Sequence, residues 1–188
     1  MRAVLLSIHP MWCSIIASGR KTVEVRKTMP KLSVPFKSYI YCTKGSPYLN
    51  RHNGICYLES KDTLGGHGLG LYERLNGKVI VEFVCDSIQP FDVPYPAFQD
   101  EMDKDILEQS CLTYYQLHRY AWHDCLYGWH ISNLKIYDTP KSLGEFYRAC
   151  SEKHTDCSRC IDLRDNTCVQ ISRPPQSWCY VEDNKQWI

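Results

Sequence analysis

Six short runs rich in β-branched and aromatic residues, with few helical stretches between them, limit what this chain can fold into. They are AVLLSI (3–8), TVEVR (22–26), FKSYIYCTK (36–44), KVIVEFVCDSI (78–88), WHISNLKIY (129–137) and WCYVE (178–182). Neighbouring parallel strands need a crossover of a dozen or more residues, usually a helix. Only two stretches carry a helical pattern. In PMWCSIIASG (10–19), Pro10 suits a first turn, Trp12, Ile15 and Ile16 share a face, and Gly19 can close the helix in a left-handed conformation. In DKDILEQSCLTYYQLHRY (103–120), Ile106, Leu107, Cys111, Tyr114 and Leu117 recur at helical spacing behind an acidic first turn. The predicted order is strand, helix, three strands, helix, strand, then a cysteine segment and a closing strand. That is an α+β, mainly β chain: a small, mostly antiparallel β-barrel with helices outside it.

The connections carry less. GGHGLG (65–70) lacks the spacing and the strand–turn–helix context of a dinucleotide loop and reads as a flexible loop. PFDVPYPAF (90–98) is a proline-punctuated connection. The 188 residues suit one domain, or one with a small appendage. No apolar run approaches the roughly 20 residues that span a bilayer. MRAVLLSIHP offers only a four-residue apolar run before polar residues, which predicts no secretory signal. A cytoplasmic chain with no membrane partner is expected.

Net charge is +1, but its distribution is uneven. Residues 1–50 hold eight Lys and Arg against Glu24 alone, a net +7, whereas residues 51–150 carry −5. A basic end on a neutral chain is a reasonable electrostatic footprint for phosphate. Much of it lies in SGRKTVEVRK (18–27). There Val23 and Val25 point one way and Thr22, Glu24 and Arg26 the other. Such a charged face must meet water or a ligand, because buried unpaired charges are too costly. It is either an exposed edge strand with a solvated Glu24–Arg26 pair, or a cleft where Lys21 and Arg26 hold an anion and Glu24 orders them.

GRKTVEVR (19–26) matches G-x-K-x-x-E-x-R through Gly19, Lys21, Glu24 and Arg26, after a strand and helix and at the start of a strand. In this the chain resembles the ASCH domain, a PUA-like β-barrel. The resemblance runs from about residue 1 to 137, with WCYVE (178–182) as closing strand and residues 98–128 as a helical insertion. WHISNLKIYD and RPPQSWCYVE are similar to a subgroup from Firmicutes and phage genomes. The domain division implied is a barrel over 1–145, a Cys-rich appendage over 146–177 and a closing strand and tail over 178–188. The resemblance implies a cleft that binds RNA or a nucleotide through Lys21, Glu24 and Arg26. Thirteen tyrosines and five tryptophans could stack unpaired bases, Trp12 first among them by its place before the signature.

Some ASCH proteins resemble amidohydrolases that remove an acetyl group from acetylated cytidine with a lysine, a threonine three residues later and a distant glutamate. Lys21 matches the lysine, and Glu24 stands where the threonine would be. Lys21 and Glu24 are the catalytic candidates if the chain is an enzyme. Other members resemble metal-dependent ribonucleases, but this chain has no compact acidic cluster. Ser7 and Cys13 have no motif tying them to a histidine, and His9, His123 and His130 are isolated in sequence. A protein-interaction module is the remaining class, and the basic first half argues against it.

Eleven cysteines without a signal peptide are better read as free thiols plus a metal site than as disulfides. Cys13, Cys42, Cys56, Cys85, Cys111 and Cys125 are scattered among apolar neighbours, as small buried hydrophobes would be. Cys150, Cys157, Cys160 and Cys168 crowd into CSEKHTDCSRCIDLRDNTC (150–168). The Cys157-x2-Cys160 gap lets two thiolates reach one tetrahedral ion, with partners arriving from the flanks. The expected cofactor is a structural Zn²⁺ on these four, with Cys179 or His154 as alternatives for the fourth position. A regulatory thiol switch is the other use of such a segment.

Overall fold

The computed structural model describes residues 2–44, 75–149 and 170–183. GGHGLG, Cys56 and the segment from Cys150 to Cys168 lie outside the described residues.

The strands are β1 (Arg2–Ile8), β2 (Val23–Arg26), β3 (Phe36–Cys42), β4 (Lys78–Phe91), β5 (Leu126–Ser142) and β6 (Trp178–Glu182). They form one mainly β sheet in the order β2-β5-β4-β3-β1-β6, with helices flanking it. Pairing is antiparallel except for β1 against β3, which run parallel. The crossover between those two contains helix α1 (Pro10–Ala17), as a parallel pair requires. Pro10 opens that helix, and Gly19 follows it with φ +75°, a conformation glycine adopts without strain.

Strand β1 is apolar on both faces because each face has its own core. Val4, Leu6 and Ile8 pack with Ile16, Phe36, Ile40 and Trp129. Ala3 and Leu5 pack on the other face with Tyr39, Phe146 and Val181. The period of two thus divides a continuous apolar run between two cores. A third cluster joins Val23 and Val25 to Ile106, Tyr114 and Leu117 of the two helices described next.

The single helix expected over 103–120 is two: α2 (Lys104–Ser110) and α3 (Tyr114–Ala121). Cys111 takes a left-handed conformation (φ 53°), and Thr113 starts α3 with a reciprocal capping box to Gln116. The pattern T-x-x-Q was the readable signal, but the unbroken apolar spacing hid it. Strand β4 continues into the proline-punctuated stretch as far as Phe91, and β5 is longer than expected, bending at Asn133 (φ 47°). Of the scattered thiols, Cys13, Cys42 and Cys85 are buried, whereas Cys111 is half-buried and Cys125 exposed.

The sheet is not closed into a barrel. Among the described residues no backbone ladder joins β2 to β1 or β6. Side chains span the opening instead. Arg26 donates from Nη2 to the Ser7 carbonyl (2.9 Å) and from Nη1 to Ser177 Oγ (3.3 Å). Trp178 Nε1 donates to Thr28 Oγ1 (3.0 Å), and the Lys31 amide donates to Tyr180 Oη (2.7 Å).

The break between α2 and α3 is testable. Thr113→Ala removes the Gln116 cap and is expected to lower unfolding stability by about 1 kcal/mol, read as a shift in urea midpoint with unchanged m-value.

Candidate functional site

The face of β2 that carries Glu24 and Arg26 is buried, in a concavity. Glu24 is 8% exposed, Arg26 7% and Lys21, just before the strand, 2%. Of the two alternatives for this face, the cleft forms and the solvated edge strand does not. Backbone bonds fix Lys21 at the meeting point of both helices: its amide donates to the Ile15 carbonyl (3.2 Å), and the Thr22 amide to that of Gln109 (2.9 Å).

Lys21 Nζ donates to the Ser110 carbonyl at 2.7 Å, on the last turn of α2, where exposed carbonyls favour a cation. It lies 3.5 Å from Glu24 Oε2 and 5.3 Å from the Trp12 ring centroid. Arg26 Nε approaches Glu24 Oε1 at 3.1 Å without the alignment of a hydrogen bond, so that contact is Coulombic. One carboxylate thus faces two cations in a largely buried site. Burial pushes the Lys21 amine below its ordinary value, and the Glu24 carboxylate pulls back only part of that fall.

These groups line a cavity of about 300 Å³ together with Ser7, His9, Trp12, Gln116 and Tyr120. The four expected binding residues, Trp12, Lys21, Glu24 and Arg26, meet there. Ser7 and His9, isolated in sequence, reach the same cavity because β1 ends beside β2. Gln116 and Tyr120 also went unrecognised. Their i,i+4 spacing on α3, off the apolar face of Tyr114, Leu117 and Ala121, was the available signal.

The hydrogen-bonding inventory is specific. His9 Nδ1 accepts from the Met11 amide (3.4 Å), so the neutral ring carries its proton on Nε2 as a donor. Burial also lowers the His9 pKa, which favours that neutral form. Ser7 Oγ donates to the Pro175 carbonyl (2.6 Å), and Gln116 Oε1 accepts from the Thr113 amide (2.9 Å). A ligand would therefore meet donors from His9, Gln116 and the cations, and an acceptor in Glu24. His123 and His130 are elsewhere: His123 stacks near Tyr95, and His130 Nδ1 meets Asp86 at 2.6 Å. Cys179 lies in β6 opposite Leu5, half-buried, with its thiol pKa raised by desolvation. Among the described residues no group of three or more His, Cys, Asp and Glu is placed to hold a metal.

Solved structures share this architecture. A point mutant of the ASCH protein of Zymomonas mobilis aligns with a TM-score of 0.56 at 15% identity, covering 96% of this chain and 89% of that one. The chain has an ASCH fold. The unmutated Zymomonas mobilis ASCH protein aligns with a TM-score of 0.49 at 16% identity, over 96% and 88% of the two chains. No family model and no curated protein matches the sequence. The ASCH likeness is one of fold, and no helix among the described residues is long and apolar enough to cross a membrane.

The coupling of Lys21 to Glu24 has a sign. A lysine whose folded pKa is lowered binds fewer protons folded than unfolded, so stability rises with pH between the two values. Glu24→Gln removes the group that raises the Lys21 pKa. The Lys21 titration, followed by NMR of ¹³Cε-labelled lysine, is expected to move further down, and the alkaline gain in stability to start at lower pH.

Proposed function

We propose that this cleft binds RNA or a nucleotide. The observation that carries the reading is the burial of Lys21, Glu24 and Arg26 together in a cavity that also contains an aromatic face, Trp12. Lys and Arg take phosphate without reading sequence. A carboxylate beside them accepts from base amino groups, as Glu does from cytosine. The hydrogen-bond donors of His9 and Gln116 complement ring nitrogens and carbonyls. The ASCH fold, PUA-like, is consistent with such a ligand.

The test is direct binding of the four nucleoside monophosphates and of a short RNA by calorimetry. Lys21→Ala is expected to weaken binding at least about tenfold, the scale of one charge-assisted hydrogen bond, with the far-UV spectrum unchanged. Unchanged affinity in Lys21→Ala would sink the reading. A hydrolytic role for the same pair is the second use of this geometry, because a lysine with a lowered pKa beside a carboxylate suits acid–base work. Turnover of acetylated cytidine that is lost in Lys21→Ala, with the fold intact, distinguishes an enzyme from a binder.

We also propose that Cys150, Cys157, Cys160 and Cys168 take a structural Zn²⁺. Supporting this, the described residues that flank them lie side by side. Tyr147 and Gln170 form an antiparallel bridge, and the Ile171 amide donates to the Phe146 carbonyl at 2.8 Å. Phe146 and Ile171 are both buried in the second core. The cysteine segment therefore leaves and rejoins the fold at one point, as a metal-closed loop would. Elemental analysis is expected to find about one zinc per chain, lost in the double variant Cys157→Ser/Cys160→Ser. Metal-free protein at full yield and unchanged stability would overturn the proposal.

A further inference from the structure

The exposed large apolar residues of α3 and its approaches are all aromatic. Tyr95 is 64% exposed, Tyr115 70%, Tyr120 40% and Trp122 75%. Exposed aliphatic side chains such as Met29, Val34 and Ile136 lie outside this stretch. A tryptophan left in water at the end of a helix gains nothing for folding. Its position is set by the backbone: Trp122 and His123 follow α3 with φ 44° and 72°, two successive left-handed residues that turn their rings outward.

Those rings follow a cleft residue in the chain. Tyr120 lines the cavity that holds Lys21 and Glu24. Two residues later Trp122 begins a second series: its ring centroid is 6.1 Å from that of His123, which is 5.8 Å from that of Tyr95. Lys27 Nζ sits 5.7 Å from the Tyr120 ring centroid and pairs with Asp124 at 3.0 Å. Beneath the second series is a smaller cavity of about 180 Å³, lined by Asp92, His118, His123 and Asp124 among others. That cavity mixes carboxylates and imidazoles with Val93 and Ala121.

We propose that single-stranded RNA, with one nucleotide in the cleft, lays its flanking nucleotides along Tyr120, Trp122 and His123. This rests on the cleft reading above and deepens it, making the ligand a polynucleotide rather than a free nucleotide. Base stacking on aromatic rings is tolerant of sequence. Charge sets the path. Acids outnumber Lys104 on or next to α2 (Asp103, Asp105, Glu108), whereas the α3 side offers the exposed Arg119 and Lys27, the latter paired with Asp124. The backbone follows the cations with its bases turned to the rings. Asp92 and Asp124 then meet base amino groups.

The experiment compares fluorescein-labelled U8 and A8 RNA with UMP and AMP, against the full-length chain. Trp122→Ala is expected to weaken both octamers roughly tenfold, the scale of one lost stacking partner. It should leave the mononucleotides unaffected, and Trp122→Phe should restore most of the loss. Octamer affinity unchanged in Trp122→Ala, but lost in Lys21→Ala, overturns the track and leaves the cleft reading standing. Insensitivity of every ligand to Lys21→Ala overturns both. A change of oligomeric state in Trp122→Ala at constant RNA affinity, seen by sedimentation velocity, would make the patch a protein interface and also overturn the track.

Discussion

Glu24, buried in a cleft between Lys21 and Arg26, is the interaction around which the neighbouring elements are arranged. Taking three charges out of water is costly, and their mutual attraction repays it only when further hydrogen bonds satisfy what remains. The fold supplies those bonds from backbone carbonyls: Ser110 at the end of α2 for Lys21, and Ser7 on β1 for Arg26. Both acceptors come from parts of the chain far from residues 21–26. The site is therefore complete only when β1, β2 and α2 are all in place.

Arg26 also links the two sides of the open sheet. It belongs to one edge strand and bonds to residues at the other side of the sheet, Ser7 and Ser177. Trp178 and Tyr180 reach back to Thr28 and Lys31 in the same way. A ladder would bring the strand backbones to about 4.8 Å and leave no room between them. Side-chain bonds link the edges instead, and Ser7 and Arg26, which form one of them, also line the cleft. The expected barrel is thus replaced by an open sheet whose two sides are linked by side chains, one of them a residue of the site.

Much was legible from period and punctuation. Pro10 and Gly19 bracket α1, the alternation of TVEVR separates Val23 and Val25 from Glu24 and Arg26, and WCYVE is a strand throughout. Other features were hidden because the responsible contact is distant in sequence. Nothing local distinguishes a solvated Glu24–Arg26 pair from a buried one; the charged face is met by Trp12 of α1, the end of β1 and Ser177, while α2 and α3 cover the valine face. The break at Cys111 was concealed by apolar residues that keep helical spacing across it, since α2 and α3 bury their apolar faces in the same core. Ser7 and His9 had no motif because their partners are Pro175 and the helix start rather than each other.

The amino-acid order alone determined the mainly β character, the helix after β1 and the set of charged residues available to a ligand. These depend on side-chain period, turn residues and composition, which act over a few positions. Tertiary structure decided that β1 and β3 run parallel, that the sheet stays open, and that Lys21, Glu24 and Arg26 share a cavity with His9, Gln116 and Tyr120. Those outcomes depend on which distant backbone carbonyls satisfy which buried cations, and that is settled only when the elements pack.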